Sequence, residues 1–125
     1  MTTYKQHEFH PPQPTGEWLA LEPGITEMVL NYDSQTGRRT TLQKWEPGAQ
    51  NAKTSLHEYC EEIYIAEGDL RVIPRRGTAE GKSEDEVEWW EKGCYAFRKP
   101  GMLHGPFESR KGCLMFISCT PANTV

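Results

Sequence analysis

Residues 55–70 read SLHEYCEEIYIAEGDL, a strand-like run whose first half is crowded with titratable side chains. Residues two apart share one face of a strand. The face that ends in Ile63 and Ile65 is apolar and is therefore predicted to face the core, and it also carries His57 and Glu61. Because a buried imidazole and carboxylate are costly without partners, three interpretations stay open: a metal site, a mutually satisfied His–Glu pair, or a bulge that turns both to water.

The remaining composition limits the class of protein. A chain of 125 residues suits one domain with one core. A net charge of −4 argues against nucleic-acid or membrane-surface partners, which require clustered Lys and Arg. No apolar run reaches membrane-spanning length and the N-terminus does not resemble a secretory signal, so we expect a cytoplasmic protein. Three basic doublets are expected to be solvated surface: Arg38-Arg39, Arg75-Arg76 and Arg110-Lys111.

The four cysteines are not spaced as a disulfide framework and include no C-x-x-C pair. Cys113 and Cys119 lie in or beside an apolar run, so we expect them to be buried thiols.

Short strand-like runs separated by Pro and Gly predict an all-β sandwich or barrel. The runs ITEMVLNYD and TTLQKWE predict a hairpin joined by SQTGRR, and EEIYIAEGDLRVI predicts two strands about a tight turn at Glu67-Gly68-Asp69. VEWW, GCYAFR and GCLMFISC predict further strands, and residues 75–86 an exposed loop. Residues 1–16 are predicted to form an extended arm, packed on this barrel or on a partner, and residues 17–125 the domain.

A second stretch, KPGMLHGPF at residues 99–107, places His104 in a loop bent by prolines and glycines. Such a backbone holds a side chain at a defined angle. A histidine in a loop is otherwise exposed polar surface, and both interpretations stay open from this stretch alone.

Together the two stretches resemble the two motifs of the cupin superfamily, G-x5-H-x-H-x3-E-x6-G and G-x5-P-x-G-x2-H. The first motif is matched, with one extra residue after its first glycine, by Gly48, Ser55, His57, Glu61 and Gly68. The second is matched, with the proline displaced by one position, by Gly93, Pro100, Gly101 and His104. Residues 18–120 are similar to small ChrR-like and acetylacetone-dioxygenase-like cupins. The resemblance implies a jelly-roll β-barrel (a double-stranded β-helix) and a homodimer.

Carried over by position, the resemblance implies that His57, Glu61 and His104 bind a metal, while Ser55 stands where cupins have a further histidine. Two imidazoles and a carboxylate suit non-haem Fe(II), and the same set holds Zn, Mn or Ni. One divalent ion is therefore the expected cofactor. Ser55 either hydrogen-bonds a metal-bound water or marks a degenerate, empty site.

Other side chains have weaker claims to the site. Glu62 competes with Glu61, which both the spacing to Gly68 and the strand alternation favour. His7 and His10 either cap the barrel mouth or belong to a mobile tail, and we expect the tail. The predicted pocket wall consists of Trp45, Tyr59, Phe97 and Phe116. The alternative for each of these side chains is packing in the core.

The expected function is metal-dependent transformation of a small carbonyl- or carboxylate-bearing molecule, such as a β-diketone or an oxo acid, by a dioxygenase-like cupin enzyme. Two alternatives stay open. One is a non-catalytic sensor or ligand-binding cupin, and the other is a degenerate cupin without metal.

Overall fold

The computed structural model describes residues 2–11, 17–52, 58–74, 87–102 and 105–121, and within these ranges all regular structure is β. The eight strands, all paired antiparallel, are β1 (Leu19–Glu22), β2 (Ile25–Tyr32), β3 (Arg39–Trp45), β4 (Tyr59–Val72), β5 (Trp90–Glu91), β6 (Tyr95–Arg98), β7 (Phe107–Glu108) and β8 (Cys113–Pro121). The predicted all-β fold class is confirmed. No helix among the described residues is long and apolar enough to span a bilayer.

The strand order is β1-β2-β3-β8-β4-β5, and β6 and β7 also pair with β4. The last strand therefore lies between β3 and β4, so the two ends of the domain interleave as in a jelly roll. The hairpin predicted between β2 and β3 is confirmed: the Asp33 amide donates to the Arg38 carbonyl at 2.8 Å. Strands β1 and β7 were not predicted, because four and two residues are too short to show a period.

Strand β4 is one continuous strand of 14 residues, so the tight turn predicted at Glu67-Gly68-Asp69 is wrong. A β-bulge between Ile65 and Glu67 shifts the register with β8 instead. Up to Gly68, which has a φ of +82°, the strand pairs with β8 and β6. Beyond Gly68 it pairs with β5 and β7. Bulges bend and twist a strand, and this bend lets β4 serve both parts of the barrel.

The buried Asp69 carboxylate fixes the β7–β8 turn beside this bend. It accepts hydrogen bonds from the Ser109 hydroxyl at 3.1 Å and from the amides of Arg110 and Lys111, each at 3.0 Å. The Arg110 Nε also donates to it at 2.7 Å. Burial alone would raise the pKa of Asp69, but these donors, with the Lys111 amide foremost, outweigh it and lower the pKa. Arg110 and Lys111 are exposed, as predicted for this doublet, and in addition they anchor the turn.

The core lies between the two parts of the barrel and is formed by alternate residues of the long strands. Its members include Ile25, Trp45, Ile65, Leu70, Phe107, Met115 and Ile117. Cys113 and Cys119 are buried free thiols, as predicted, and Cys60 and Cys94 are also free. Burial raises the pKa of the Cys113 thiol to about 12, so it is neutral in the core.

The described part of the arm, residues 2–11, packs on this chain's own barrel. The carboxylate of Asp33, which is buried, accepts hydrogen bonds from the Thr2 hydroxyl at 2.7 Å and from the amide and hydroxyl of Thr3 at 2.8 and 2.7 Å. The side chain of Asn31 pairs with the backbone of Lys5. His7 and His10 are exposed, with ring centroids 5.2 Å apart. The arm is therefore held at its first residues.

We expect Gly68→Ala to lower the free energy of unfolding by at least about 3 kcal/mol. A Cβ at Gly68 would overlap the backbone carbonyl of Gly112, which cannot rotate away, and φ is already positive. Gly93→Ala is the matched control: its φ is +95° but a Cβ there meets nothing within 4 Å, so only the left-handed strain of about 1 kcal/mol applies. Urea unfolding of both variants measures the difference, and equal losses would show that the contact with Gly112 is unimportant.

We expect Asp33→Ala to release the arm while leaving the barrel folded. Burial would raise the pKa of Asp33, but the hydrogen bonds from Thr2, Thr3 and Thr36 lower it well below its usual range. Docking is therefore complete at neutral pH and weakens only as pH falls below the unfolded carboxyl value of about 3.9.

Amide exchange at Thr3 measures this docking, because that amide donates to Asp33. Gln35→Ala is the control, since the exposed Gln35 contacts Asp33 only through its backbone amide. Protection at Thr3 that survives Asp33→Ala, or that disappears already at pH 6, would contradict the role of this carboxylate.

Candidate functional site

A cavity of about 290 Å³ opens into the barrel between strands that contribute both apolar and charged side chains. Its apolar wall includes Ile25, Trp45, Leu70, Phe107 and Met115. This volume lies near the lower end of the range of about 300–1,000 Å³ that is usual for small-molecule sites. The cavity therefore suits a ligand of few heavy atoms.

Four polar side chains of the cavity wall form a row across four neighbouring strands. In the ladder, Arg39 of β3 is opposite Cys119 of β8, Cys119 is opposite Glu61 of β4, and Glu61 is opposite Arg98 of β6. All four line the cavity. Because directly opposite residues have Cβ atoms about 5 Å apart, one carboxylate and one thiol lie between two guanidinium groups. We call Arg39, Cys119, Glu61 and Arg98 the polar row.

The structure distinguishes Glu61 from its neighbour Glu62. Glu61 lines the cavity, with its Oε2 4.0 Å from the Cys119 thiol, which donates to it. Glu62 is exposed on the other face, where its Oε1 accepts a hydrogen bond from the Tyr95 hydroxyl at 2.6 Å. Tyr59 and Ile63 line the cavity with Glu61. The alternation predicted for this strand is therefore confirmed over its described residues.

The protonation of the groups around Glu61 follows from burial and charge. Burial, and then the charge of Glu61, raise the pKa of Tyr59 to about 12, although the Arg39 guanidinium opposes this shift. Burial and Glu61 likewise raise the pKa of the Cys119 thiol to about 11 against the effect of Arg39. Both groups are neutral at pH 7. Tyr59 therefore presents a hydroxyl that can donate a hydrogen bond, and Cys119 is not a thiolate nucleophile.

Arg39 of the polar row is partly buried and faces the cavity. Its guanidinium carbon lies 5.5 Å from the centroid of the Tyr59 ring, and its Nε is buried without a hydrogen-bond partner among the described residues. The carboxylate of Glu27, which lines the same cavity, accepts instead from the Gln43 amide at 3.3 Å. The prediction that the Arg38-Arg39 doublet is solvated surface is therefore wrong for Arg39.

The predicted pocket wall is placed in two different regions. Trp45 and Tyr59 line the cavity, and the indole of Trp45 donates to Gln43 at 2.8 Å. Phe97 and Phe116 do not line it, and they are 48% and 44% exposed on the outer face. The prediction for these two phenylalanines is corrected, because their strands turn the alternate residues inward.

Three predicted site residues, Ser55, His57 and His104, lie outside the described residues. Within the described ranges, no three His, Cys, Asp or Glu side chains are grouped closely enough to hold a metal ion. Of the predicted ligands, the structure describes Glu61. Its side chain lines the cavity, which is the position required of a ligand to a metal bound there. His7 and His10 lie by Leu30 and Thr40, away from the cavity lining.

Sequence reasoning missed three members of the polar row, namely Arg39, Arg98 and Cys119. The signal for Arg39 was present: counting back by twos from the inward-facing Trp45 gives Gln43, Thr41 and then Arg39. For Arg98 and Cys119 the phase of the strand was readable only after the pairing partners were known.

The family profile of the ChrR cupin-like domain matches residues 12–123, nearly the whole chain. The chain belongs to this family. No curated protein matches the sequence of this cupin.

Solved structures share the fold at low sequence identity. An RmlC-like cupin from Shewanella frigidimarina is 17% identical with a TM-score of 0.71, over 98% of each chain. An acetylacetone dioxygenase from Acinetobacter johnsonii is 16% identical with a TM-score of 0.68, over 93% of this chain and 74% of the other. The polyketide cyclase RemF from Streptomyces resistomycificus is 21% identical with a TM-score of 0.63, over 94% and 80%. These similarities confirm the cupin jelly roll.

Proposed function

We propose that this cupin is a mononuclear metal-dependent enzyme whose barrel cavity transforms a small carbonyl- or carboxylate-bearing molecule. The observation that carries the proposal is the position of Glu61. A carboxylate projects into a small, partly apolar cavity and stands in register between a thiol and an arginine on the adjacent strands. Charged groups in such a site are costly unless they hold a cation or a ligand.

Glu61, His57 and His104 would hold the metal. The chemistry of this donor set fits a divalent first-row ion, since two imidazoles and one carboxylate leave coordination positions open. When bound, such an ion polarises a carbonyl or carboxylate oxygen or activates a small co-substrate. The same donor set accepts Fe, Zn, Mn or Ni.

The chain's own residues would bind and orient the substrate. The apolar wall around Trp45, Leu70 and Phe107 would displace water from one side of a bound substrate and so strengthen its electrostatic contacts. The neutral Tyr59 hydroxyl can donate a hydrogen bond to a substrate oxygen, because its pKa is raised to about 12. A dioxygenase reaction is one candidate, as an acetylacetone dioxygenase shares the fold.

Two alternatives use the same cavity. In a non-catalytic sensor or ligand-binding cupin, the cavity binds a ligand without turnover. In a degenerate cupin, the cavity holds no metal. The RmlC-like and dioxygenase neighbours share only the fold. Metal content separates the degenerate cupin from the other two, and turnover separates the enzyme from the sensor.

Association of two copies is also proposed, as the resemblance implies. Large aromatic side chains are exposed on the outer face of β8, β4 and β6, namely Phe116, Tyr64, Tyr95 and Phe97. Light scattering of the purified protein measures the mass in solution, and a monomer at all concentrations would overturn this proposal.

We expect the protein, purified without a nickel column, to retain about one metal ion per chain. His57→Ala, Glu61→Ala and His104→Ala should each lower this content by about tenfold or more, because each removes a ligand. Glu62→Ala is the matched control and should keep the metal, since Glu62 points to the outer face. Elemental analysis of each variant provides the measurement. Unchanged metal in the His57 and Glu61 variants would show that the site is assigned wrongly.

A further inference from the structure

The cavity wall includes two arginines among its charged side chains. Arg39 and Arg98 both line the cavity, one at each end of the polar row. Arginine in a partly apolar cavity is typical of sites that recognise carboxylate or phosphate, because the guanidinium is planar, always charged and rich in donors.

The protein uses part of the Arg39 guanidinium, which makes a hydrogen bond with the Cys119 thiol, but one of its donors is not used by the described residues. Its Nε is buried and has no hydrogen-bond partner among the described residues, and the aromatic ring of Tyr59 supplies only a cation–π contact. An unused buried donor on a charged group costs stability, by roughly 1–3 kcal/mol or more. A polar group that is left unsatisfied in a cavity wall is available to a water, an ion or a ligand in that cavity.

Among the described residues, no carboxylate of the cavity wall makes a direct hydrogen bond with Arg39, although Glu27 acts on it through its charge. Glu22 accepts a hydrogen bond from the Ala52 amide at 3.0 Å, and Glu27 accepts one from Gln43. Glu61 has Cys119 between itself and Arg39 in the ladder. With a divalent ion on Glu61, the two arginines and the ion together exceed the negative charge of the three glutamates. The cavity would then attract an anion.

We infer that Arg39 binds the carboxylate of an anionic oxo-acid substrate, so that the substrate class is a small oxo acid and not a neutral diketone. This inference rests on the proposed function for the role of the cavity, but the contact itself is made by Arg39, and a bound divalent ion would strengthen that contact without forming it. The Arg39 guanidinium donates to the carboxylate, and Tyr59 beside it can donate to an oxygen of the same ligand.

Two probes of nearly the same shape test the charge alone: levulinate, a small oxo acid, and its neutral amide levulinamide. Titrations are followed by NMR with metal-loaded and with chelator-treated protein. We expect the wild type to bind levulinate about tenfold or more tightly than levulinamide, as hydrogen bonds to charged groups allow. The preference should decrease with added salt.

Arg39→Gln should reduce the preference to about twofold or less, by weakening levulinate binding while leaving levulinamide binding unchanged. Arg39→Lys keeps the charge and should retain part of the preference. Lys44→Gln is the matched control: it removes one positive charge from the same strand, but Lys44 is exposed and does not line the cavity. Thermal unfolding checks that each variant is folded.

The outcomes separate this inference from the proposed function. If the wild type shows no preference for levulinate, or Arg39→Gln leaves it intact, the inference is wrong even where metal binding is confirmed. If the chain binds no metal but an Arg39-dependent preference persists, the carboxylate site stands and the metal-dependent function falls. An equal loss of preference in Lys44→Gln would show a general charge effect and would also overturn the inference.

Discussion

The bend of β4 at Gly68, where the strand touches the carbonyl of Gly112, is the constraint on which the rest of the barrel depends. Before the bend the strand pairs with β8 and β6 and carries Glu61 into the cavity. After the bend it pairs with β5 and β7 and closes the barrel. The Asp69 carboxylate, adjacent to the bend, binds the backbone of the β7–β8 turn from which β8 starts. The contact between Gly68 and Gly112 therefore sets the register of β8 against β4. This register places Cys119 opposite Glu61.

The chemistry of the cavity follows from that register, because a shift by one residue turns every side chain of a strand to the opposite face. In the observed register the polar row faces inward and the apolar residues Ile117 and Met115 follow Cys119 on the same face of β8. The outer face receives Phe116 instead. Positions set by strand pairing are more rigid than positions on loops. The pairing of the strands therefore fixes the positions of the charged residues Arg39 and Glu61.

Much of this arrangement was predictable where a single strand contains its own signal. The alternation of residues 59–65 located Glu61, and the hairpin from β2 to β3 was found from its turn residues. The sequence Glu67-Gly68-Asp69 misled, because a glycine between polar residues has the same local signal in a tight turn and in a bulge. Only the distant Gly112 decides between them. Phe97 and Phe116 were misplaced for a related reason, since a strand with apolar residues on both faces does not show from its own sequence which face is buried.

The site residues that the structure describes are held by the sheet. The arginines and Glu61 are on strands with paired backbones, whereas His57 and His104, the other proposed ligands, belong to segments outside the described residues. The wall of the cavity can therefore be specified without the metal.

Among the described residues, that wall has three glutamates against two arginines, an excess of negative charge in a partly apolar space. Such an excess is unfavourable in itself and is relieved by a bound divalent cation, after which the net charge becomes positive. Cation and anionic substrate would then stabilise each other in the same small volume, so the affinity of each should depend on the presence of the other.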